Sequence, residues 1–187
     1  MMMHPATGFA IGDPYIDPLA KRPTPERARA FFDTLILSAS GWRGVFASSD
    51  DDLGEAIAPA SAYAAARMAD TFAGFLLRGR AGAGAPVVAL GVDTRPTGPA
   101  IADAMARVFL ARGLSVRYAF VCAAPEIMAW TRRAGALPED HPERLDAFCY
   151  VSASHNPPGH NGVKFGLSDG GVLPGSDAKA LIATLRD

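Results

Sequence analysis

The sequence predicts an α/β fold: a three-layer αβα domain whose sheet is mixed and mostly parallel. Strand and helix patterns alternate through the middle of the chain, which is typical of crossover units and a parallel sheet. The first of these strands is a continuous apolar run, as expected for a strand covered on both faces. The alternating elements are strands at 87–90, 115–121 and 146–152, a helix opened by Pro99, and a helix over 125–133.

The flanking regions predict five further elements. Residues 1–23 are rich in Pro, Asp and Gly without a period, which indicates an extended N-terminal arm. Thr24 provides a capping hydroxyl before a proline and an acid, so a helix is predicted from there to about Phe32. The rest of the pattern predicts a long helix from Ser61, a strand at 162–167 that pairs antiparallel with 146–152, and a helix over 177–185.

Composition limits the domain count and the possible partners. A chain of 187 residues suffices for one domain, so 1–187 is interpreted as a single unit. The net charge is −1 and no basic block occurs, so we expect no nucleic-acid partner. No apolar run approaches the roughly 20 residues that span a bilayer, and the start lacks a signal pattern. We therefore expect a cytoplasmic protein without membrane contact, in which Cys122 and Cys149 are buried, reduced thiols.

Residues 152–164 concentrate the polar chemistry of the chain. They carry two hydroxyls, an imidazole, two asparagine amides and an ammonium directly after a predicted buried strand. Ligands of open α/β sheets bind beyond the carboxyl ends of strands. Pro157 and Pro158 restrict the backbone, and Asn161-Gly162 is a turn signal. The pattern predicts a stiff loop with Ser154 at one end and Lys164 at the other.

This loop resembles the active-site serine loop of the α-D-phosphohexomutases, the superfamily of phosphoglucomutase, phosphomannomutase and phosphoglucosamine mutase. Ser-Ala-Ser-His-Asn-Pro at 152–157 and Asn-Gly-Val-Lys at 161–164 match each fixed position of the family pattern. Ser-Ala-Ser-Gly-Trp-Arg-Gly at 38–44 is similar to its Ser-Gly-x-Arg-Gly turn, and Gly-Val-Asp-Thr-Arg-Pro-Thr at 91–97 to its Gly-x-Asp-Thr-Arg-x-Ser segment. The three blocks occur in the family order and cover most of the chain.

The resemblance implies a role for each matched residue. Ser154 would be the phosphorylated serine that exchanges a phosphoryl group with a hexose phosphate through a 1,6-bisphosphate. Lys164 would transfer a proton or stabilise charge, because burial and a nearby phosphate move an ammonium pKa in opposite directions. Arg43 would bind phosphate through its planar fork. His155 and Asn156 would orient the loop or contact phosphoryl and sugar oxygens.

Plainer interpretations of the same residues stay open. Ser154 could cap a turn, Lys164 could be a solvated strand lysine, and His155 and Asn156 could only tie down the loop. A surface role for Arg43 is the alternative to phosphate binding. Two other charged groups are interpreted as structural: a buried Asp93–Arg95 pair at a strand end, and a solvated acidic turn at 50–52.

The chain resembles only the first of the four domains of these enzymes. The metal loop, the sugar-recognition loop and the C-terminal phosphate loop of the family are absent from the sequence. Mg²⁺ prefers carboxylate and phosphate oxygens, so Ser154 would contribute at most one ligand, through its phosphoryl group. We therefore expect a catalytic-serine domain that needs the remaining domains of the same enzyme, a phosphosugar substrate and hexose 1,6-bisphosphate as activator.

Three functions remain open from the sequence. The first is a glucose or mannose phosphomutase, an isomerase of which this domain alone would be inactive. The second is a phosphoglucosamine mutase, whose loop often begins Ser-Ala-Ser as here. The third is a phosphosugar-binding module without catalysis. Sugar preference depends on regions outside this sequence.

Overall fold

A six-stranded sheet forms the centre of the fold in a computed structural model that describes residues 2–3, 10–11, 17–78 and 84–186. The strands are β1 (Met2–Met3), β2 (Ala10–Ile11), β3 (Ile36–Ser38), β4 (Gly41–Val45), β5 (Val87–Val92), β6 (Ser115–Val121), β7 (Ala147–Val151) and β8 (His160–Leu167). The helices are α1 (Pro25–Thr34), α2 (Pro59–Leu77), α3 (Gly98–Ala111), α4 (Ala124–Gly135) and α5 (Gly175–Arg186). The order across the sheet is β3-β4-β8-β7-β5-β6, and β1 and β2 form a separate two-stranded sheet.

The predicted α/β class and mixed sheet are confirmed, with less parallel pairing than the sequence suggested. β5 pairs in parallel with β6 and with β7. β8 returns antiparallel beside β7, as predicted, and β4 and β3 continue the antiparallel side. Three of the five pairings are therefore antiparallel, because the β3–β4 hairpin, which the sequence analysis did not predict, extends the sheet beyond β8.

Helices cover both faces of the sheet and give the three predicted layers. The larger core lies under α2, α3 and α5 and contains Phe72, whose ring stacks on Phe165 of β8 with centroids 4.3 Å apart. The smaller core lies under α4, where Ile127 packs against Phe148 and Tyr150 of β7. Each fully buried side chain of this size stabilises the fold by about 1.5–3 kcal/mol relative to exposure. Alternate residues of β7 thus face opposite layers of the fold.

The observed boundaries of α1 and α2 lie within two residues of the predicted ones. The Thr24 hydroxyl accepts a hydrogen bond from the Arg27 backbone N–H at 3.4 Å, and Pro25 is the first residue of α1, as predicted. α1 ends at Thr34, two residues beyond the predicted end. α2 begins at Pro59 rather than at Ser61.

Most of the predicted N-terminal arm lies outside the described residues. Of residues 1–23, the described parts are the β1–β2 pairing and residues 17–23, in which Leu19 packs against the larger core. Among the helices of the described ranges, none has both the length and the apolar character that crossing a bilayer requires.

Candidate functional site

A cleft of about 170 Å³ lies where the chain leaves β7 and returns along β8. It brings together four of the predicted site residues, Ser154, His155, Lys164 and Arg43. The fifth, Asn156, lies outside this cleft and lines a neighbouring depression beside β4. The complete lining of the cleft is Ser40, Gly41, Arg43, Ser152, Ala153, Ser154, His155, Val163 and Lys164.

Ser154 sits at the exposed rim of the cleft in a left-handed backbone conformation. Its φ is 53°, which costs a residue with a Cβ atom about 1–2 kcal/mol. The Ser154 backbone N–H donates to the Ser152 hydroxyl at 3.3 Å. Ser152 itself is buried, and its N–H donates to the Gly162 carbonyl at 2.8 Å. Ser154 is thus an exposed hydroxyl on a backbone that its neighbours hold in a strained geometry.

Lys164 projects from β8 on the face opposite Val163 and Phe165, as the alternation predicts. Those two apolar side chains are buried in the larger core, whereas Lys164 pairs across the strands with Tyr150. The Nζ of Lys164 lies 5.8 Å from the centroid of the Tyr150 ring, within the range of a cation–π contact. Half-burial lowers the pKa of Lys164; the Asp93 carboxylate acts against this, and the Arg43 charge adds to it.

Arg43 lies on a strand rather than in the turn suggested by its motif. The turn is formed by Ala39 and Ser40, and Arg43 is the third residue of β4, opposite Gly162 of β8. A Cβ atom on Gly162 would lie 2.8 Å from Arg43 Cγ, so the glycine makes room for the arginine to cross β8. The buried Nε of Arg43 has no hydrogen-bond partner in the part of the chain that is described.

His155 and Asn156 have different environments. His155 is exposed at the cleft. Asn156 donates to the Ala153 carbonyl from both its side chain, at 2.8 Å, and its backbone N–H, at 3.1 Å. The amide of Asn156 therefore ties the loop to itself, which matches the structural alternative for this residue.

The second half of the loop is anchored to the body of the fold. Asn161 is fully buried, and its side-chain amide donates to the Thr97 hydroxyl at 3.0 Å. The Gly159 carbonyl accepts from the backbone N–H groups of Phe46 and Ala47 at 2.9 and 3.1 Å. The stiffness expected from the prolines therefore has a second source in long-range hydrogen bonds.

Arg95 is the loop contact that sequence reasoning missed. The predicted pair with Asp93 is present, with Nε–Oδ2 at 3.4 Å, but the guanidinium also bonds the carbonyls of Ser154, Asn156, Pro157 and His160. The available signal was the position of the Asp-Thr-Arg block. It follows β5, whose carboxyl end lies beside that of its parallel neighbour β7.

The described residues do not by themselves fit a Mg²⁺ site. Within the described ranges, no three His, Cys, Asp or Glu side chains gather where one ion could bind them. The cleft is bordered instead by the cations Arg43 and Lys164, which repel a bare divalent ion. The two cysteines are unpaired and take no part in the cleft; Cys149 is buried and Cys122 half-buried.

Fold and cleft together define a class: an αβα domain with a cleft at the carboxyl end of a strand, lined by a loop serine, an arginine and a lysine. A family model described as "Phosphoglucomutase/phosphomannomutase, alpha/beta/alpha domain I" matches residues 35–187. The chain therefore belongs to this family, as its domain I. The recognition made from the three sequence blocks is confirmed.

Individual relatives agree with this membership. A phosphoglucosamine mutase of Synechocystis sp. is 35% identical over 115 residues, covering 62% of this chain and 22% of the relative. A phosphoglucosamine mutase of Burkholderia mallei is 41% identical over 97 residues, covering 51% of this chain and 20% of the relative. The chain thus spans about a fifth of the length of these relatives.

Solved structures show the same fold. A protein of Thermus thermophilus, provisionally assigned as a phosphomannomutase, has a TM-score of 0.61 and 26% identity, covering 81% of this chain and 30% of its own. A phosphoglucomutase/phosphomannomutase family protein of Burkholderia thailandensis has a TM-score of 0.55 and 23% identity, covering 81% of this chain and 31% of its own.

Proposed function

We propose that this chain is the catalytic-serine domain of a phosphohexomutase that interconverts hexose 1-phosphate and hexose 6-phosphate, with glucose and mannose as the sugars. The observation that carries the proposal is the cleft in which the exposed Ser154 hydroxyl shares its lining with Arg43 and Lys164. Phosphoryl transfer is catalysed mainly by positioning and by stabilising charge, and this cleft offers a nucleophile and two cations on rigid strands.

The proposed reaction conserves phosphoryl groups. Phosphorylated Ser154 gives its phosphoryl group to the free 6-hydroxyl of a hexose 1-phosphate: the serine Oγ–P bond breaks and a P–O bond to the sugar forms. The sugar hydroxyl proton passes to the serine oxygen or to a neighbouring base. The 1,6-bisphosphate then returns its 1-phosphoryl group to Ser154, which leaves hexose 6-phosphate and restores the phosphoserine.

Arg43 and Lys164 have distinct proposed roles in this reaction. A phosphoserine carries about −1.5 to −2 charges and requires compensation nearby. Arg43 would bind phosphoryl oxygens, because it lines the cleft together with Ser154 and its planar guanidinium suits bidentate phosphate binding. Lys164 would exchange a proton near Ser154, because half-burial lowers its pKa toward the working range. His155, exposed at the rim, would contact the phosphoryl group or the sugar, and Asn156 would orient the loop.

Activation and metal binding are proposed to depend on the phosphorylated state. Hexose 1,6-bisphosphate would load a free Ser154 and so act as activator. Mg²⁺ would bind a phosphoryl oxygen on Ser154 together with ligands outside the described residues, and would neutralise charge there. The isolated chain would be inactive, because sugar and metal ligands would come from the remaining domains of the same enzyme.

A second candidate, phosphoglucosamine mutase, is favoured by one observation. The two curated relatives described above carry that name, at 35% and 41% identity. Both candidates use the same serine chemistry and differ only in the sugar. A non-catalytic phosphosugar-binding module is the alternative from another class.

The test is conversion of hexose 1-phosphate to hexose 6-phosphate by the native gene product that contains this chain. The assay includes Mg²⁺ and a trace of hexose 1,6-bisphosphate, with glucose, mannose and glucosamine phosphates in parallel. We expect conversion that the Ser154→Ala variant lacks, and the preferred sugar then decides between the two mutases. No conversion of any of the three would overturn the enzymatic proposal in favour of the binding module.

A further inference from the structure

We infer that Arg95 is a positioning residue that holds the Ser154 loop in its reactive conformation. The expected effect on kcat rests on the proposed function, whereas the contacts between Arg95 and the loop are seen directly in the structure. Nη1 of Arg95 donates to the carbonyls of Pro157 at 2.7 Å and His160 at 3.1 Å. Nη2 donates to the carbonyls of Ser154 at 2.8 Å and Asn156 at 2.5 Å. One side chain thus gathers four carbonyls of a seven-residue loop.

The guanidinium is itself fixed to the sheet. Asp93 accepts from the Arg95 backbone N–H at 3.0 Å and forms the ion pair with its Nε. The Asp93 backbone N–H donates to the Val151 carbonyl at the end of β7, at 2.9 Å. The side chain of Arg95 is only 12% exposed, so its charge requires the Asp93 carboxylate as a partner. Arg95 therefore connects the loop to the ends of β5 and β7 together.

This arrangement excludes direct substrate binding by Arg95. Each terminal nitrogen of a guanidinium carries two hydrogens, and each makes two bonds to loop carbonyls here. Nε faces Asp93. The four N–H groups of the terminal nitrogens are therefore directed at loop carbonyls, and Nε keeps an ion-pair contact with Asp93 without a hydrogen bond among the described residues. Arg95 acts through the loop and differs in this from Arg43, which lines the cleft itself.

The consequence for Ser154 is conformational. A left-handed serine is unfavourable by about 1–2 kcal/mol and persists only where its surroundings fix it. The bond from Nη2 to the Ser154 carbonyl fixes the peptide plane directly after the strained residue. Without it, Ser154 can relax to an ordinary backbone region, and its hydroxyl then leaves the position beside Arg43 and Lys164.

The experiment compares Arg95→Lys and Arg95→Met in the native gene product that contains this chain. Arg112→Lys is the matched control, because Arg112 forms an exposed ion pair with Asp70 far along the chain from the loop. Lysine keeps the charge of Arg95 but has one ammonium in place of the guanidinium fork, and methionine removes both the charge and the donors. In both variants kcat should fall by about 10²-fold, the scale expected when a reacting group is misplaced by about 1 Å. KM for the hexose phosphate should stay within about threefold, and Arg112→Lys should match the parent.

Hydrogen exchange of the loop amides provides a readout that needs no activity. In both Arg95 variants the hydrogen-bonded amides of Ser154, Asn156 and His160 should exchange faster, while those of β5 and β7 keep their protection. Unchanged loop exchange in the folded Arg95→Lys protein overturns the inference, as does a raised KM with unchanged kcat, which would indicate substrate binding. If the parent protein has no mutase activity, the proposed function is wrong. The hydrogen-exchange data then test by themselves whether Arg95 positions the loop.

Discussion

The left-handed conformation of Ser154 predicts that glycine is more stable than alanine at this position. Ser154→Ala keeps the steric penalty of a Cβ atom at φ 53°, about 1–2 kcal/mol, whereas Ser154→Gly removes it. Glycine loses about 0.5–1 kcal/mol more backbone entropy on folding than alanine does. The difference leaves Ser154→Gly more stable than Ser154→Ala by about 0.5–1 kcal/mol, which corresponds to about 1–4 °C in melting temperature for a chain of this size.

The assay is urea unfolding of the two variants, followed by tryptophan fluorescence, to which the buried Trp42 and the half-buried Trp130 both contribute. Both variants lack the serine hydroxyl, so differences in side-chain hydrogen bonding cancel. Gly113→Ala provides a control of the opposite sign. Gly113 has φ +82° after α3, and apart from its chain neighbours no atom of the described residues lies within 4 Å of the position of an added Cβ. Its substitution therefore tests the backbone penalty alone and should destabilise by about 1 kcal/mol.

One combination of results would refute the left-handed backbone of Ser154. If Gly113→Ala loses about 1 kcal/mol while the two Ser154 variants are equally stable, the penalty is real but Ser154 does not have a left-handed backbone in solution. The loop would then hold its serine in an ordinary conformation, and the geometric basis for a strained, positioned nucleophile would be lost.

Three further predictions concern the cleft and the thiols. Gly162→Ala should displace the Arg43 side chain and destabilise the fold by about 1–3 kcal/mol, measured by urea unfolding. Unchanged stability and activity would show that β4 and β8 move apart without cost to admit the methyl group. The pKa of Lys164 is lowered in the folded protein, so between that pKa and 10.5 the unfolded chain binds more protons than the folded one. The free energy of unfolding of the parent relative to Lys164→Met should therefore rise as pH increases through that window. A difference that does not depend on pH would contradict the burial of the ammonium. Burial raises the pKa of Cys122 to about 11 and also raises the pKa of Cys149. Iodoacetamide at pH 8 should therefore label the half-buried Cys122 slowly and the buried Cys149 only after unfolding, as mass spectrometry would show.

The sequence predicts those elements of the fold that are specified by residues close together in the chain. The cap at Thr24 and the apolar run of β5 each specify their element through nearby residues alone. The β3–β4 hairpin was missed because its signal is not local. β3 has three residues, and Ile36 is 63% exposed, so no buried periodicity marks it. These residues become a strand because β4 pairs with β8 and in turn offers an edge to β3.

The sequence predicts which residues line the candidate site, but it does not predict the contacts of Arg95 that hold the loop in place. Ser154 and Lys164 lie in one motif, so their proximity follows from a strand, a turn and a return strand. The contacts of Arg95 join positions 59 to 65 residues apart, and they exist only because β5 and β7 are parallel neighbours. A sequence shows that an arginine follows β5; it does not show that four carbonyls of another loop turn toward it.

The polar groups around the loop fall into two sets with different consequences. Arg95, Asn156 and Asn161 have their donors directed at protein oxygens, and they fix the backbone before any substrate arrives. Arg43 and Lys164 border the cleft and keep charge available to a ligand. Phosphoryl transfer depends on holding reacting groups within a fraction of an ångström while stabilising charge, and under the proposed function each set would supply one of these needs. Substitutions in the first set should therefore alter loop order and kcat together, whereas conservative substitutions in the second should alter the chemistry and leave loop order unchanged.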